Sequence, residues 1–349
     1  MPYATPVKTI CKGDEYRYEE PNPMVNAIII MMTARNVAPM KLFITGNVLI
    51  LMFNYEYWGF GTYNAAVNMA LEEAMLLRAK KKAAIRFYDF ARDSVVLGYA
   101  QSTDALKKRD ADVVRRVTGG SHVQTGKNIL AYSIAVPRDG SFRGYEDMRA
   151  YYAEKIRAAV ENMGIDDVTA DNHASSINIG DKVVAGHAMF WGVESALIHG
   201  LILIEPYQME KLAARIALGK RKIGTKTYSE YDALKNAPTV AGETDAAKNA
   251  PQRNNAVKNI MAERILAELA GGKHANEPIN EKTVAKAMPL LAKRYGNDAW
   301  TEERSPSFTS EDVEEIPGEE LNGGLKKKLG YCMYLQVNDR NFRRMASND

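Results

Sequence analysis

Apolar and polar positions along this 349-residue chain change period repeatedly, and each change predicts an element. KLFITGNVLILMF, from Lys41, alternates as a strand or hairpin does. In YNAAVNMALEEAMLLRAKKK the residues Ala66, Met69, Ala70, Ala74, Met75 and Leu77 share one face at helical spacing. AIRFYDF and SVVLGYA follow as two short β-rich runs around a polar turn. The pattern then predicts a strand from Asp112 to Val117, a glycine turn, a strand from Ile129 to Val136 and a helix from Tyr145 to Met163. A further strand pair, SSINIGDKVVAGHAMF and ESALIHGLILIE, closes this part. Strand pairs alternating with single helices predict an α+β fold, with a central mixed or antiparallel sheet flanked by helices.

After Ala237 the chain becomes polar and small, which predicts a linker or loop over 238–252. NAVKNIMAERILAELAG and EKTVAKAMPLLAKRYG read as two amphipathic helices, and GEELNGGLKKKLGYCMYLQVNDRNF as a site for a small strand. The expected organisation is a poorly patterned leader over 1–39, a catalytic domain over 40–237, the linker, and a small, mainly helical accessory region over 253–349. Met40 opens the cleaner pattern and is a plausible alternative start.

Composition narrows the classes. A hydrophobic content of 46% allows a large core, in one big domain or two ordinary ones. The net charge of +3 is small and diffuse, and Lys80-Lys81-Lys82 and Lys326-Lys327-Lys328 read as solvated faces, so no nucleic-acid partner is expected. The two cysteines, Cys11 and Cys332, cannot build a disulfide framework or a zinc cluster, which fits a reducing cytoplasm. Arg35, Asn36, Pro39, Lys41 and Asn47 break the apolar stretch 24–53 below the ~18 residues a spanning helix needs, and no clear signal peptide is seen.

The chemistry concentrates in VVRRVTGGSHV, from Val113. Gly119 and Gly120 let backbone N–H groups approach a ligand, and a nest of such groups favours an anion. Arg115 and Arg116 precede them on a strand, where alternation sends one toward a phosphate and the other away. The turn matches neither G-x-x-x-x-G-K-[ST] nor G-x-G-x-x-G. Lys182 leaves a Gly-Asp turn in a small-residue β run, where a lysine could stabilise charge growing on a nucleotide α-phosphate. His122, His173, His187 and His199 show no metal-ligand spacing, so no metal ligands are assigned.

In order, RRVTGGSHV, DKVVAGHAM and IHGLILI resemble the lipoate-protein ligase branch of the biotin and lipoate ligase superfamily. That branch carries R-R-x-[ST]-G-G-G-A-V, K-[IV]-[SA]-G-[SN]-A and H-G-T-L-L-L. YNAAVNMALEEAMLL, SVVLGYAQ, KIGTKTY and AKRYGNDAW extend the resemblance over about residues 55–305. It implies a fold like that of class II synthetases and biotin-protein ligases. It also implies ATP-dependent activation of lipoate or octanoate, with Mg2+, to an acyl-adenylate. The acyl group would then pass to a lysine of a lipoyl carrier, an acyltransferase subunit of a 2-oxoacid dehydrogenase or the glycine cleavage H protein. Neither a nucleic acid nor a membrane is an expected partner.

Carried over by motif, Lys182 is the catalytic residue. Arg115, Arg116, Gly119, Gly120, Ser121, His122, Val123, Asn172, Gly186, His187 and Ala188 border acyl chain and nucleotide, with Met189 as further wall. Departures are visible: Ser121 replaces the third glycine, Thr125-Gly126 stands where His-Asp is usual, and Asp171-Asn172-His173 keeps only the asparagine. Val183 occupies the family's lysine column, so Lys182 turns away from the ligand unless a β-bulge restores its phase. A related octanoyltransferase would need a core thiolate, and the loop G-R-G-R-x-G-R-x-W of biotin ligases is absent. The other reading is a ligase-like domain that binds carrier or adenylate without reacting.

Overall fold

A computed structural model of the chain describes residues 43–45, 48–50, 53–108, 111–172, 175–223, 226–271 and 273–305. It divides into Met1–Asn54 and Tyr55–Asp349. In the first unit β1 (Phe43–Thr45) pairs antiparallel with β2 (Val48–Ile50), the hairpin the alternation predicts. The leader 1–39, both cysteines and the strand expected after Gly318 lie outside the described residues.

The second unit is built on an eight-stranded sheet. Its strands in chain order are β3 (Tyr55–Tyr63), β4 (Ala84–Phe90), β8 (Ile129–Pro137), β9 (Val168–Asp171), β10 (Ser176–Ile179), β11 (Lys182–Trp191), β12 (Ser195–Leu203) and β15 (His274–Asn276). In space they run β15-β3-β4-β8-β12-β11-β10-β9. β3 is parallel to both β4 and β15, and every other pair is antiparallel, giving the mixed sheet expected. Central β8 is buried at eight successive positions, Ile129 to Val136, because both its faces are covered. β5 (Ser94–Leu97), β6 (Asp112–Arg115) and β7 (Val123–Thr125) form a separate three-stranded sheet, and β13 (Lys220–Ile223) pairs with β14 (Lys226–Ser229).

Helix α1 (Ala65–Arg78) starts where the Asn64 side chain accepts the Val67 N–H at 2.9 Å, a cap for one orphan donor. α2 (Tyr145–Glu161) opens with Glu146 and Asp147, whose charges suit the positive helix start. The Tyr55 and Tyr152 hydroxyls, 2.9 Å apart, tie α2 to β3. Short helices follow: α3 (Met209–Arg215), α4 (Glu230–Lys235) and α5 (Val240–Glu243). α5 lies inside the stretch read as a linker.

Helix α6 (Arg253–Ala270) ends on Gly271 in the left-handed conformation that suits a glycine cap. α7 (Glu281–Leu290) contains Pro289, and the chain then widens into a π turn over Leu291–Tyr295 before α8 (Asp298–Glu303). The sequence predicts one helix through this region; the missing proline N–H ends the regular ladder instead. Val284, Ala287, Met288, Leu291, Tyr295 and Trp300 join α1 and the sheet in one hydrophobic core. α7, the π turn and α8, part of the expected accessory region, thus share their apolar packing with the sheet.

Candidate active site

Strand pairing lines up residues in rows across the sheet. On the face toward α1 the rows are Arg86, Ser133, His199, Ala188 and Tyr88, Ala131, Leu201, Gly186. The row between them, on the opposite face, is Phe87, Tyr132, Gly200, His187.

α1 lowers two polar residues, Asn68 and Glu72, onto the first face at i,i+4 spacing. The buried Arg86 guanidinium donates to the Asn68 carbonyl at 3.1 Å and to its side-chain oxygen at 2.7 Å. Glu72 accepts hydrogen bonds from the Tyr88 and Ser133 hydroxyls. Its oxygens lie 2.9 and 2.8 Å from His199 Nδ1. His199 Nε2 lies 2.6 Å from the Thr118 hydroxyl. Burial pushes the Glu72 carboxyl up, but the His199 charge and the hydrogen bonds from His199, Ser133 and Tyr88 outweigh it and hold the carboxyl below its ordinary value. Burial likewise drives the Tyr88 hydroxyl well above the usual phenol range, and the Glu72 charge adds to that.

The glycine turn between β6 and β7 sits against this network through Arg116. Its Nε donates to Thr118 Oγ1 at 2.9 Å, and its other nitrogens reach the carbonyls of Gly119 (2.6 Å), Ser121 (2.8 Å) and Val96 (3.2 Å). Burial pulls its pKa down to about 10. Gly120 has φ +87°, open to glycine and strained for other residues. Gly98 is also constrained, since a Cβ there would lie 1.9 Å from the Gly120 carbonyl oxygen.

Turn and sheet enclose a cavity of about 280 Å³. Met69, Phe90, Val96, Val123, Met189 and Leu203 supply apolar wall, while Tyr88, Arg116 and His199 bring the polar network to it. An apolar chamber with a few convergent polar groups is the usual form of a small-molecule site.

Of the residues singled out by motif, Arg116, Gly119, Gly120, Ser121, Val123, Gly186, His187 and Ala188 line the cavity, as does Met189. Gly186 and Ala188 project little on the face toward the turn, which leaves the space open. His122 lies beside the turn, its Nδ1 3.4 Å from Gln101 Nε2, and is not part of the lining. Arg115 does not reach the cavity: its guanidinium is spent on the carbonyls of Gly98, Tyr99, Gln101 and Thr301. Of the adjacent arginines, the inward one braces the turn's carbonyls and the outward one binds the C-terminal segment.

Asn172 is exposed at the end of β9, and Lys182 is exposed at the start of β11; neither lines the cavity. A bulge does interrupt β11: Ile177 pairs with Ala185 but Asn178 with Val183, leaving Val184 as the extra residue. It falls after Lys182, so it brings Val183 and Val184 to the cavity and not the lysine. His187 lies on the opposite face from Ala188. Among the described residues neither of its ring nitrogens has a partner, and burial, with the Arg149 and His199 charges, pushes its pKa down to about 4.

Sequence reasoning missed Glu72, Thr118 and the pairing role of His199. The available signal was Asn68 and Glu72 at helical spacing among apolar and small residues, with a histidine inside the run ALIHGLILI.

An α+β sheet with this chamber and a buried carboxylate–histidine pair beside it has the form of a small-molecule site. Residues 64–235 match the model of the lipoyl protein ligase A/B catalytic domain. It is 22% identical over 258 residues to lipoate–protein ligase 1 of Staphylococcus aureus, covering 72% of this chain and 74% of the relative. It is 32% identical over 125 residues to octanoyltransferase LipM of Oceanobacillus iheyensis, covering 32% of this chain and 45% of that one. Among solved structures, a lipoate-protein ligase A bound with ATP superposes with a TM-score of 0.57 at 20% identity, covering 71% of this chain and 98% of that one. That likeness establishes the shared fold. No helix among the described residues is long and apolar enough to cross a membrane.

Proposed function

We propose that this chain is an ATP-dependent lipoate-protein ligase. A carboxylate oxygen of lipoate or octanoate attacks the α-phosphorus of ATP, pyrophosphate leaves, and an acyl-adenylate forms. A lysine amine of a lipoyl carrier domain then attacks the acyl carbonyl and AMP leaves. The apolar chamber takes the acyl chain, and the N–H groups of Gly119 and Gly120 face the anionic end. Arg116 keeps those groups in place by holding the turn's carbonyls.

The observation that carries this over thioester transfer is the lack of a thiol: no cysteine occurs between residues 12 and 331, which include every residue lining the cavity. A transferase working through an acyl-enzyme needs an activated nucleophile. The Thr118 hydroxyl beside His199 is a poor substitute. It is fully buried, takes a hydrogen bond from Arg116 and does not line the cavity. Among the described residues no three His, Cys, Asp or Glu side chains gather as a metal site. Mg2+ would therefore be held chiefly by the nucleotide phosphates, its common mode, and no step is assigned to it.

Lys182 is proposed to swing across Val183 and stabilise the α-phosphate charge. The second reading, a non-reacting binder, is favoured by one observation, the exposed position of Lys182 outside the lining. Pyrophosphate release from ATP and octanoate, followed by intact-mass measurement of an added lipoyl domain, separates the two. No pyrophosphate above background, with octanoate still bound, selects the binder. Lys182→Ala should slow adenylation by about 10²-fold, the effect of deleting one group that stabilises transition-state charge; unchanged turnover would remove Lys182 from the chemistry.

A further inference from the structure

Two residue pairs in the site point in opposite directions. Glu72 faces the sheet, while Glu73, wholly buried, faces the C-terminal helices and accepts hydrogen bonds from Arg294 and from the Tyr295 hydroxyl, the latter at 2.6 Å. Arg116 braces the glycine turn, while Arg115 donates to the Thr301 carbonyl at 2.9 and 2.6 Å. Trp300, also fully buried, returns a bond from Nε1 to the Arg115 carbonyl at 2.8 Å. Residues 294–301 thus grip both elements that form the polar network, each time at the residue next to the one used.

The backbone explains how adjacent Arg294 and Tyr295 meet one carboxylate. In an α-helix, neighbouring side chains diverge by about 100°. Here Pro289 ends the regular ladder, and a π turn closed by Gly296 N–H to the Leu291 carbonyl at 2.7 Å changes the spacing. Such turns are rare and concentrate at functional positions.

We propose that residues 291–301 are a positioning device for the cavity's polar network, with Arg294 setting Glu72 against His199 through α1, and Trp300 setting the 116–121 turn through Arg115. Glu73 keeps its buried charge because Arg294 answers it. Without that partner α1 rotates to hydrate Glu73, and Glu72, on the same rigid helix, leaves His199.

The test uses the full chain with Arg294→Met, Arg294→Lys, Trp300→Phe and the double variant Glu73→Gln with Arg294→Met. The ring nitrogen signals of His199 in long-range 1H–15N spectra, assigned with His199→Gln, report the network with no substrate present. Arg294→Met and Trp300→Phe should shift those signals, and Arg294→Lys and the double variant should restore them. Unchanged His199 signals in folded, merely less stable variants would overturn the proposal. If Arg294→Met does not fold, Trp300→Phe, which keeps an aromatic ring and loses one hydrogen bond, decides it. The catalytic consequence rests on the proposed ligase reading: kcat should fall by about 10²-fold, the scale for misplacing a site by an ångström, with Arg294→Lys recovering most of it. If the unaltered chain releases no pyrophosphate, the ligase reading fails and the His199 signals still decide the positioning role.

Discussion

His187 offers a measurable link between burial and acid stability. Its ring is held among groups that exclude water from both nitrogens, and its pKa falls from 6.5 to about 4 through burial, then the Arg149 and His199 charges. The native state therefore resists a proton that the unfolded chain accepts near pH 6.5. The stability at stake is fully present above pH 6.5 and is lost as the pH falls toward 4. At 1.36 kcal/mol per unit, a drop from 6.5 to about 4 corresponds to roughly 3 kcal/mol. For a domain of this size that is about 6–12 °C in Tm. His187→Phe keeps a ring and removes the titration. Urea unfolding of both proteins between pH 7.5 and 4 isolates the effect, because acid sensitivity from other groups cancels in the difference. Relative to wild type, His187→Phe should gain roughly 3 kcal/mol across that window. A difference that stays flat with pH would refute the assignment.

Glu72→Gln should uncouple the network: octanoate affinity measured calorimetrically at pH 7 should fall about tenfold or more, as expected when a charged hydrogen-bond partner of about 1.5–3 kcal/mol is lost. Because the Glu72 carboxyl is held below its ordinary value, its side-chain carboxyl 13C resonance, followed without ligand, should titrate below the usual carboxylate range; a midpoint within or above that range would contradict this. Gly98→Ala forces a methyl against the Gly120 carbonyl, so it should cost about 1–3 kcal/mol in unfolding free energy, typical of overpacking, and weaken octanoate binding; a neutral effect would mean the turn relaxes freely.

The sheet and its long helices were legible because they follow simple periods. α1 shows apolar spacing and a capping asparagine, and the runs of β8 and β12 are apolar but for Ser133, Ser195 and His199 because both strands are central. What the sequence concealed were contacts between distant elements. Glu72 and Glu73 are each buried against a partner from elsewhere, His199 and Arg294. Alternation correctly separated Arg115 from Arg116 but could not reveal that carbonyls consume both guanidinium groups. The bulge at Val184 shifts the phase of β11 by one residue, which no count along the strand exposes. Pro289 was visible, whereas the π turn after it depends on the buried carboxylate it serves.

One edge of the large sheet is finished late in synthesis. β3 is among the first strands made, but the first part of its outer side, Tyr55 to Tyr57, is paired by β15, His274 to Asn276. Until the ribosome has released almost the whole domain, β3 carries a row of unsatisfied backbone groups open to any other strand. A chain truncated before His274 would keep that edge bare. Aggregation during expression is then the expected fate of such fragments, even when every residue of the catalytic segment is present.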